Sequence, residues 1–435
     1  MASQSLIDRL SINSSSFRSW LSVFGASLAL FSTVGFLNAF GVFQEYYKTY
    51  LPGKTDFDIS WIGSVSIFLL YIGAPIAGFL VDRTGPTILI CVGSLGQLLA
   101  LFLASLCTQY YQLFLTQGIL LGVSMSLIFC PAIAAVSRCL PDHRGLALGL
   151  AIGGSSVGGI VWPIMLDQLL YNDRVSFGWL VRSVAFTMLP LLLVACTTIT
   201  DTRASLDRLI QINQVETAPD SSEKVKNAQS TTDGDLRAKN SGFSILKDPT
   251  FILLCLGFAM VYLGLFTPFF YASSYATQQG LSSSTAFYLI SAINASSLFG
   301  RIIPGHLADI YGHFNICTLS ILASGIVGFC WTATYNLPGL VIWGLMYGFT
   351  SGAVLSLQGA CAGKLASREN QGTAVGLVSG SVSITALVGT PISGQILRSA
   401  GYLGLGIWTG TTLIVGAGIL TGARLRLDQR VLAAH

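Results

Sequence analysis

The sequence predicts an all-α membrane protein of about twelve transmembrane helices in two pseudo-symmetric six-helix halves, and three observations carry that prediction. Of 435 residues, 52% are hydrophobic and only 10% charged, where a soluble domain carries roughly a quarter charged residues. Apolar runs recur from Trp20 to Gly422, and each is long enough, at about 20 residues, to cross roughly 30 Å of hydrocarbon as a helix. A single offset of 227 residues also brings two halves of the chain into register at separate places.

Taken in order, the spans fall near 20–43, 59–81, 87–107, 112–136, 145–170 and 179–199, then near 250–273, 284–307, 314–334, 338–362, 373–397 and 403–422. The N-terminal tail, 1–19, has no short apolar core ahead of the first span, so that span is read as an uncleaved signal. A polar interval at 201–249 separates a half at 20–200 from a half at 250–422, and a second tail occupies 423–435. Within the interval, 214–240 has the composition of a disordered linker.

An even number of spans puts both tails on one side. Seventeen of the 23 Lys and Arg residues fall on the tails, the interval and the alternate loops, five on the opposite side, and Arg301 inside a span. The positive-inside rule makes the tail side cytoplasmic. The formal charge of +4 is a product of this sidedness, so no nucleic-acid partner is called for. The expected surroundings are a lipid bilayer, that of the cell membrane, and no protein partner is required.

The offset appears first in a G-x3-D-x2-G spacing, Gly305, Asp309 and Gly312, repeated as Gly78, Asp82 and Gly85. It then pairs Gly145 with Gly372, Gly149 with Gly376, and Gly153 with Gly380. Glycines at i, i+4 leave one helix face bare, so that another backbone can approach, and both ladders are expected to be packing seams. Asp82, followed by Arg83, and Asp309 lie in short tail-side loops. Each is expected to set a carboxylate near the start of a helix in the other half, the one opening at Gly372 or at Gly145, where the helix dipole favours an anion. Such contacts bias a two-state equilibrium; the other reading is a solvated turn. Two six-helix halves around a midplane site are the architecture of a carrier whose halves rock.

Arg301 is the polar residue that most needs a reason, because a charge within a span costs roughly 2.5–3.5 kcal/mol on insertion scales. Its planar fork suits a carboxylate, and no acid lies in its own span. The expectation is contact with an anionic small-molecule substrate; the alternatives are a partner on another helix, or snorkelling to the tail side. Asn38, Asn294, Tyr71 and Gln358 also lie within spans. There a polar side chain either bonds across helices or lines a cavity, and both readings are open for all four.

No enzyme, metal or cofactor is expected. The chain has no HExxH, no CxxC among its nine cysteines and no cluster of its four histidines with them. It also has no G-x4-GK[ST], so energy must come from a gradient or from exchange. No Asp or Glu falls in the middle third of a span, Glu45 and Asp167 being the nearest. Proton coupling then takes one of two forms: the proton rides on the substrate's own acid group, or one of these carboxylates titrates inside the cavity.

GFLVDRTGPT, from Gly78, resembles the loop motif of the major facilitator superfamily, and RGLALGLAIGGSSVGG, from Arg144 to Gly159, is similar to the fifth-helix signature of its monocarboxylate porters. FLNAFGVFQEYY, from Phe36 to Tyr47, resembles the first helix of the fungal members. The resemblance implies the major facilitator fold, and it places Arg301 at the eighth-helix arginine that engages the substrate carboxylate. It departs where Val42 and Ser297 stand at the lysine and aspartate of animal lactate carriers, which argues against lactate and its proton path. The reading is alternating-access efflux of a small organic acid or acidic specialised metabolite. Its alternatives are uptake of a monocarboxylate or other nutrient, and a transporter-like nutrient sensor.

Overall fold

The computed structural model describes residues 2–173, 175–199 and 242–427. The interval expected as a linker thus lies outside the described residues from 200 to 241, as do the last residues of the C-terminal tail, 428–435.

Helix α1 runs in three pieces, Ala2–Ser32, Val34–Leu37 and Phe40–Tyr50. The stretch 1–19, expected as a separate tail, is helical from Ala2 and continuous with the first span. No Gly or Pro precedes Gly25 to stop it. Helix α2 comprises Asp56–Ile72 and Ala74–Thr84, bent by 41° at Gly73. There follow α3 (Pro86–Ala104), α4 (Tyr110–Cys139), α5 (Arg144–Leu170) and α6 (Phe177–Thr198). The second half holds α7 (Pro249–Leu265 and Thr267–Gln278), α8 (Ser283–Tyr311), α9 (His313–Phe329), α10 (Leu337–Leu365), α11 (371–400) and α12 (402–427).

Eight of these units are long and apolar enough to cross a membrane, or nine with the bent α2. The shorter α9, the more polar α8 and the division of Gln371–Leu427 at Gly401 bring the number to twelve. The outer faces are apolar, with Ile76, Leu95, Ile342 and Leu403 exposed, as a hydrocarbon surround requires.

Local chemistry sets the starts and turns. A capping box opens α2: Asp58 N–H donates to Thr55 Oγ1 at 3.2 Å, and Thr55 N–H to Asp58 Oδ2 at 3.0 Å. Asp248, followed by Pro249, caps α7, and Asn336, followed two residues on by Pro338, caps α10. The α2–α3 and α8–α9 turns each pivot on a glycine with φ near +90°, Gly85 at 82° and Gly312 at 93°. An L side chain rarely adopts that backbone, so the repeated glycines serve the same turn twice.

The break in α1 has its own support. Ser32 and Thr33 hydroxyls donate back to the carbonyls of Leu28 and Ala29, a habit that bends helices. The Phe31 carbonyl accepts from Trp162 Nε1 of α5 at 2.9 Å, and Gly35 packs on Gly158. The two halves meet through α5 against α8 and through α2 against α11. These are equivalent pairs under the 227-residue offset.

Candidate functional site

The glycine ladders lie in those two seams. A Cβ at Gly372 would fall 2.6 Å from the Gly78 carbonyl oxygen, and one at Gly305 would fall 2.5 Å from that of Gly145. Gly149 faces the Arg301 carbonyl and Gly376 faces that of Ala74. Side chains replace backbone at the third rung, where Gly153 meets Leu298 and Gly380 meets the Pro75 ring. The contact is therefore tightest at the tail end and loosens toward the middle.

At the tail end of each seam a carboxylate crosses between halves. Asp82 of α2 accepts from Gly372 N at 2.9 Å, Thr373 N at 2.7 Å and Thr373 Oγ1 at 2.6 Å, and pairs with Arg138 of α4. Asp309 of α8 accepts from Gly145 N at 2.6 Å and Leu146 N at 2.9 Å, with His313 Nε2 at 3.1 Å. Both carboxylates are buried, so these bonds face little competition from water. Arg83, grouped with Asp82 in the sequence reading, lies outside the cluster: it is exposed, with its guanidinium 4.1 Å from the Phe79 ring centroid. Successive helical residues point about 100° apart, so a neighbour of Asp82 cannot share its face. Arg138, counted in the sequence only as a tail-side charge, fills that role.

Arg301 is 3% exposed, between the halves near the middle of the α5–α8 seam. Its Nη1 donates to the Ile152 carbonyl and to Ser155 Oγ, both at 2.6 Å and both on α5, while Nε has no partner. Among the described residues no carboxylate pairs with it, and the Tyr262 and Tyr71 hydroxyls interact with it electrostatically. Both of these acceptors on α5 are neutral and leave the positive charge uncompensated.

The remaining polar candidates form two groups. Asn38 is exposed, and its Nδ2 and the Oδ1 of Asn294 converge over Gly159. Asn294 spends its own amide hydrogens on the Ile290 carbonyl at 3.1 Å, which leaves Oδ1 facing that space. Gln358 accepts from Tyr262 OH at 2.6 Å, and the Tyr262 ring stands against Tyr71. Tyr262 and His313 were not singled out in the sequence. A mid-span phenol carries the same signal as Tyr71, so Tyr262 was findable; His313 gives no sequence signal without its neighbour.

Glu45 is exposed and paired with Lys48 at 2.9 Å, and Asp167 is exposed. Neither reaches the Arg301 group.

Comparison with known proteins bears on all of this. The sequence profile described as Major Facilitator Superfamily matches residues 17–337. The chain is 51% identical over 429 residues to an MFS-type transporter of Aspergillus fumigatus, covering 97% of this chain and 95% of the other. It is 45% identical to the agnestins efflux protein of Paecilomyces divaricatus, covering 95% and 89%. It is 33% identical to the aspyridones efflux protein of Emericella nidulans, covering 94% and 78%. Among solved structures, the human organic anion transporter MFSD10 superposes with a TM-score of 0.66 over 93% of this chain and 98% of the other, a likeness of fold at 15% identity. With a profile match over most of its length and relatives that align nearly end to end, this multi-pass membrane transporter belongs to the Major Facilitator Superfamily.

Proposed function

We propose that the chain exports a small organic acid or acidic specialised metabolite by alternating access, with Arg301 taking the substrate's anionic group. The observation that carries this is a buried guanidinium with an unpartnered Nε and no carboxylate beside it among the described residues. An arriving anion would supply the missing charge. Asn38, Asn294, Tyr71 and Gln358 complete the polar lining. The direction is drawn from relatives named for the efflux of agnestins and aspyridones. The resemblance at Arg144–Gly159 and Phe36–Tyr47 supports a place among fungal monocarboxylate porter-like members, and the distribution of Lys and Arg supports cytoplasmic termini; the plasma membrane is where a carrier that exports from the cell would act.

In this reading Asp82 and Asp309 are latches that hold the tail side closed, and the two ladders are the surfaces that part. The proton, where one moves, travels on the substrate's acid group, since Glu45 and Asp167 stand apart from Arg301.

Arg301→Lys tests the site. An ammonium keeps the charge but cannot reproduce a bidentate fork, so export of acidic metabolites into the medium by a strain carrying this variant should fall at least ~tenfold, a loss of about 1.4 kcal/mol. Normal export by a correctly located Arg301→Lys protein would remove Arg301 from the substrate site.

A further inference from the structure

We propose that the anion taken at Arg301 carries its charge on a planar aromatic or conjugated body, and that Tyr71 and Tyr262 are the residues that select that body. This rests on the acidic-substrate reading above and narrows it.

The two tyrosines come from opposite halves, Tyr71 from α2 and Tyr262 from α7. Their rings meet edge to face, with centroids 5.8 Å apart and planes at 87°. Each is backed by another ring in the same manner: Tyr71 by Phe129 at 6.0 Å and 85°, Tyr262 by Phe266 at 5.5 Å and 82°. Phe129 and Phe266 are half-buried, so the four rings form a wall whose ends are accessible and whose middle is shut. The wall is also anchored at its polar edge, because Tyr262 OH is committed to Gln358 at 2.6 Å and both hydroxyls lie within the field of Arg301.

The Tyr71–Tyr262 contact crosses the interface that must open. When the halves part, each ring loses an edge-to-face partner, and that contact is favourable beyond the area it buries. A flat conjugated substrate beside Arg301 restores it on both sides, presenting its edge to one ring and its face to the other. A saturated body of equal size buries similar area but has no quadrupole to offer, and a short aliphatic acid reaches neither ring. The pair therefore discriminates by chemistry as well as by size, and it does so only in the state in which substrate replaces the partner ring.

The test uses purified full-length protein in proteoliposomes, with 2-naphthoate and its saturated counterpart decahydro-2-naphthoate as matched anions, each measured by counterflow. Wild type should move 2-naphthoate about three- to tenfold faster, the range an aromatic pair supports. Tyr71→Leu and Tyr262→Leu should each bring the ratio below twofold, with folding of the variants read independently from monodisperse elution of the purified protein. Tyr71→Phe should retain the preference. Equal rates for the two acids in wild type, a preference that survives both leucine variants, or transport of neither acid would overturn the aromatic proposal. The acidic reading is tested separately: Arg301→Lys should slow both acids, and unchanged protein-dependent counterflow of both acids by that variant would overturn that reading and this one together.

Discussion

Asp82 and Asp309 are the same residue twice, 227 positions apart, capping helices that are themselves 227 positions apart, yet their surroundings differ. Asp82 is paired with Arg138 and gains a hydroxyl bond from Thr373; Asp309 is paired with His313 and faces Leu146 where the other has its threonine. Neither cation has a counterpart. The position equivalent to Arg138 is Leu365, and the one equivalent to His313 is Pro86. Duplication thus preserved what the backbone needs, two amide donors and a carboxylate, while the balancing charge was supplied independently in each half. A guanidinium holds its charge throughout the physiological range, whereas an imidazole carries one only when protonated. One latch therefore holds a guanidinium–carboxylate pair and the other an imidazole contact.

The largest disruption should come from the feature the latches share. Gly372→Val or Gly145→Val would drive a side chain into backbone that has no room to move, so the tail-closed state should be lost and transport should drop ~tenfold or more. Spin labels at the exposed Thr84 and Lys364 should then report a single, longer distance.

Asp82→Asn and Asp309→Asn come next and should separate the latches. The first removes the negative charge that faces Arg138 and weakens a four-donor cluster, so it should shift the closed state by about tenfold or more, in line with the ~1.5–3 kcal/mol of a charged hydrogen bond. The second should shift it only a few-fold. Equal label distances in both variants and in wild type would remove the latch role.

His313→Gln should give the smallest effect. The variant replaces one hydrogen-bond partner of Asp309 and leaves both amide donors in place. Arg144 also acts on Asp309 and stays charged, so the latch weakens without failing. Label distances in His313→Gln should therefore stay close to wild type, whereas Arg138→Gln should lengthen them.

Much of this arrangement could be read before any coordinates. The offset located both seams because glycine at i, i+4 is a statement about backbone approach, and backbone packing is what a duplicated fold keeps. The helix starts opposite Asp82 and Asp309 were legible because capping depends on position in the chain. Arg301 stood out because a charge in a span is costly wherever its partners lie. What could not be read depends on which distant side chains meet. Arg138 pairs across 56 residues, Arg301 bonds across 149, and the Tyr71–Tyr262 wall joins the two halves. Arg83 was attached to Asp82 by adjacency, and adjacency on a helix is separation in space.

The broken α1 has a mechanical consequence. Its inner and middle pieces are fixed to α5, through Gly154 against Ser27, the Trp162 bond to Phe31 and Gly35 against Gly158. The outer piece, Phe40–Tyr50, is fixed elsewhere, by Tyr47 OH on Gln117 of α4 and by Tyr46 stacked on Phe177 of α6. The break near Asn38 thus separates two anchorages: at 1.5 Å of rise per residue Tyr50 lies roughly 18 Å beyond it, so each degree of rotation at the break would carry Tyr50 through roughly 0.3 Å, a displacement that the α4 and α6 contacts resist rather than the α5 seam.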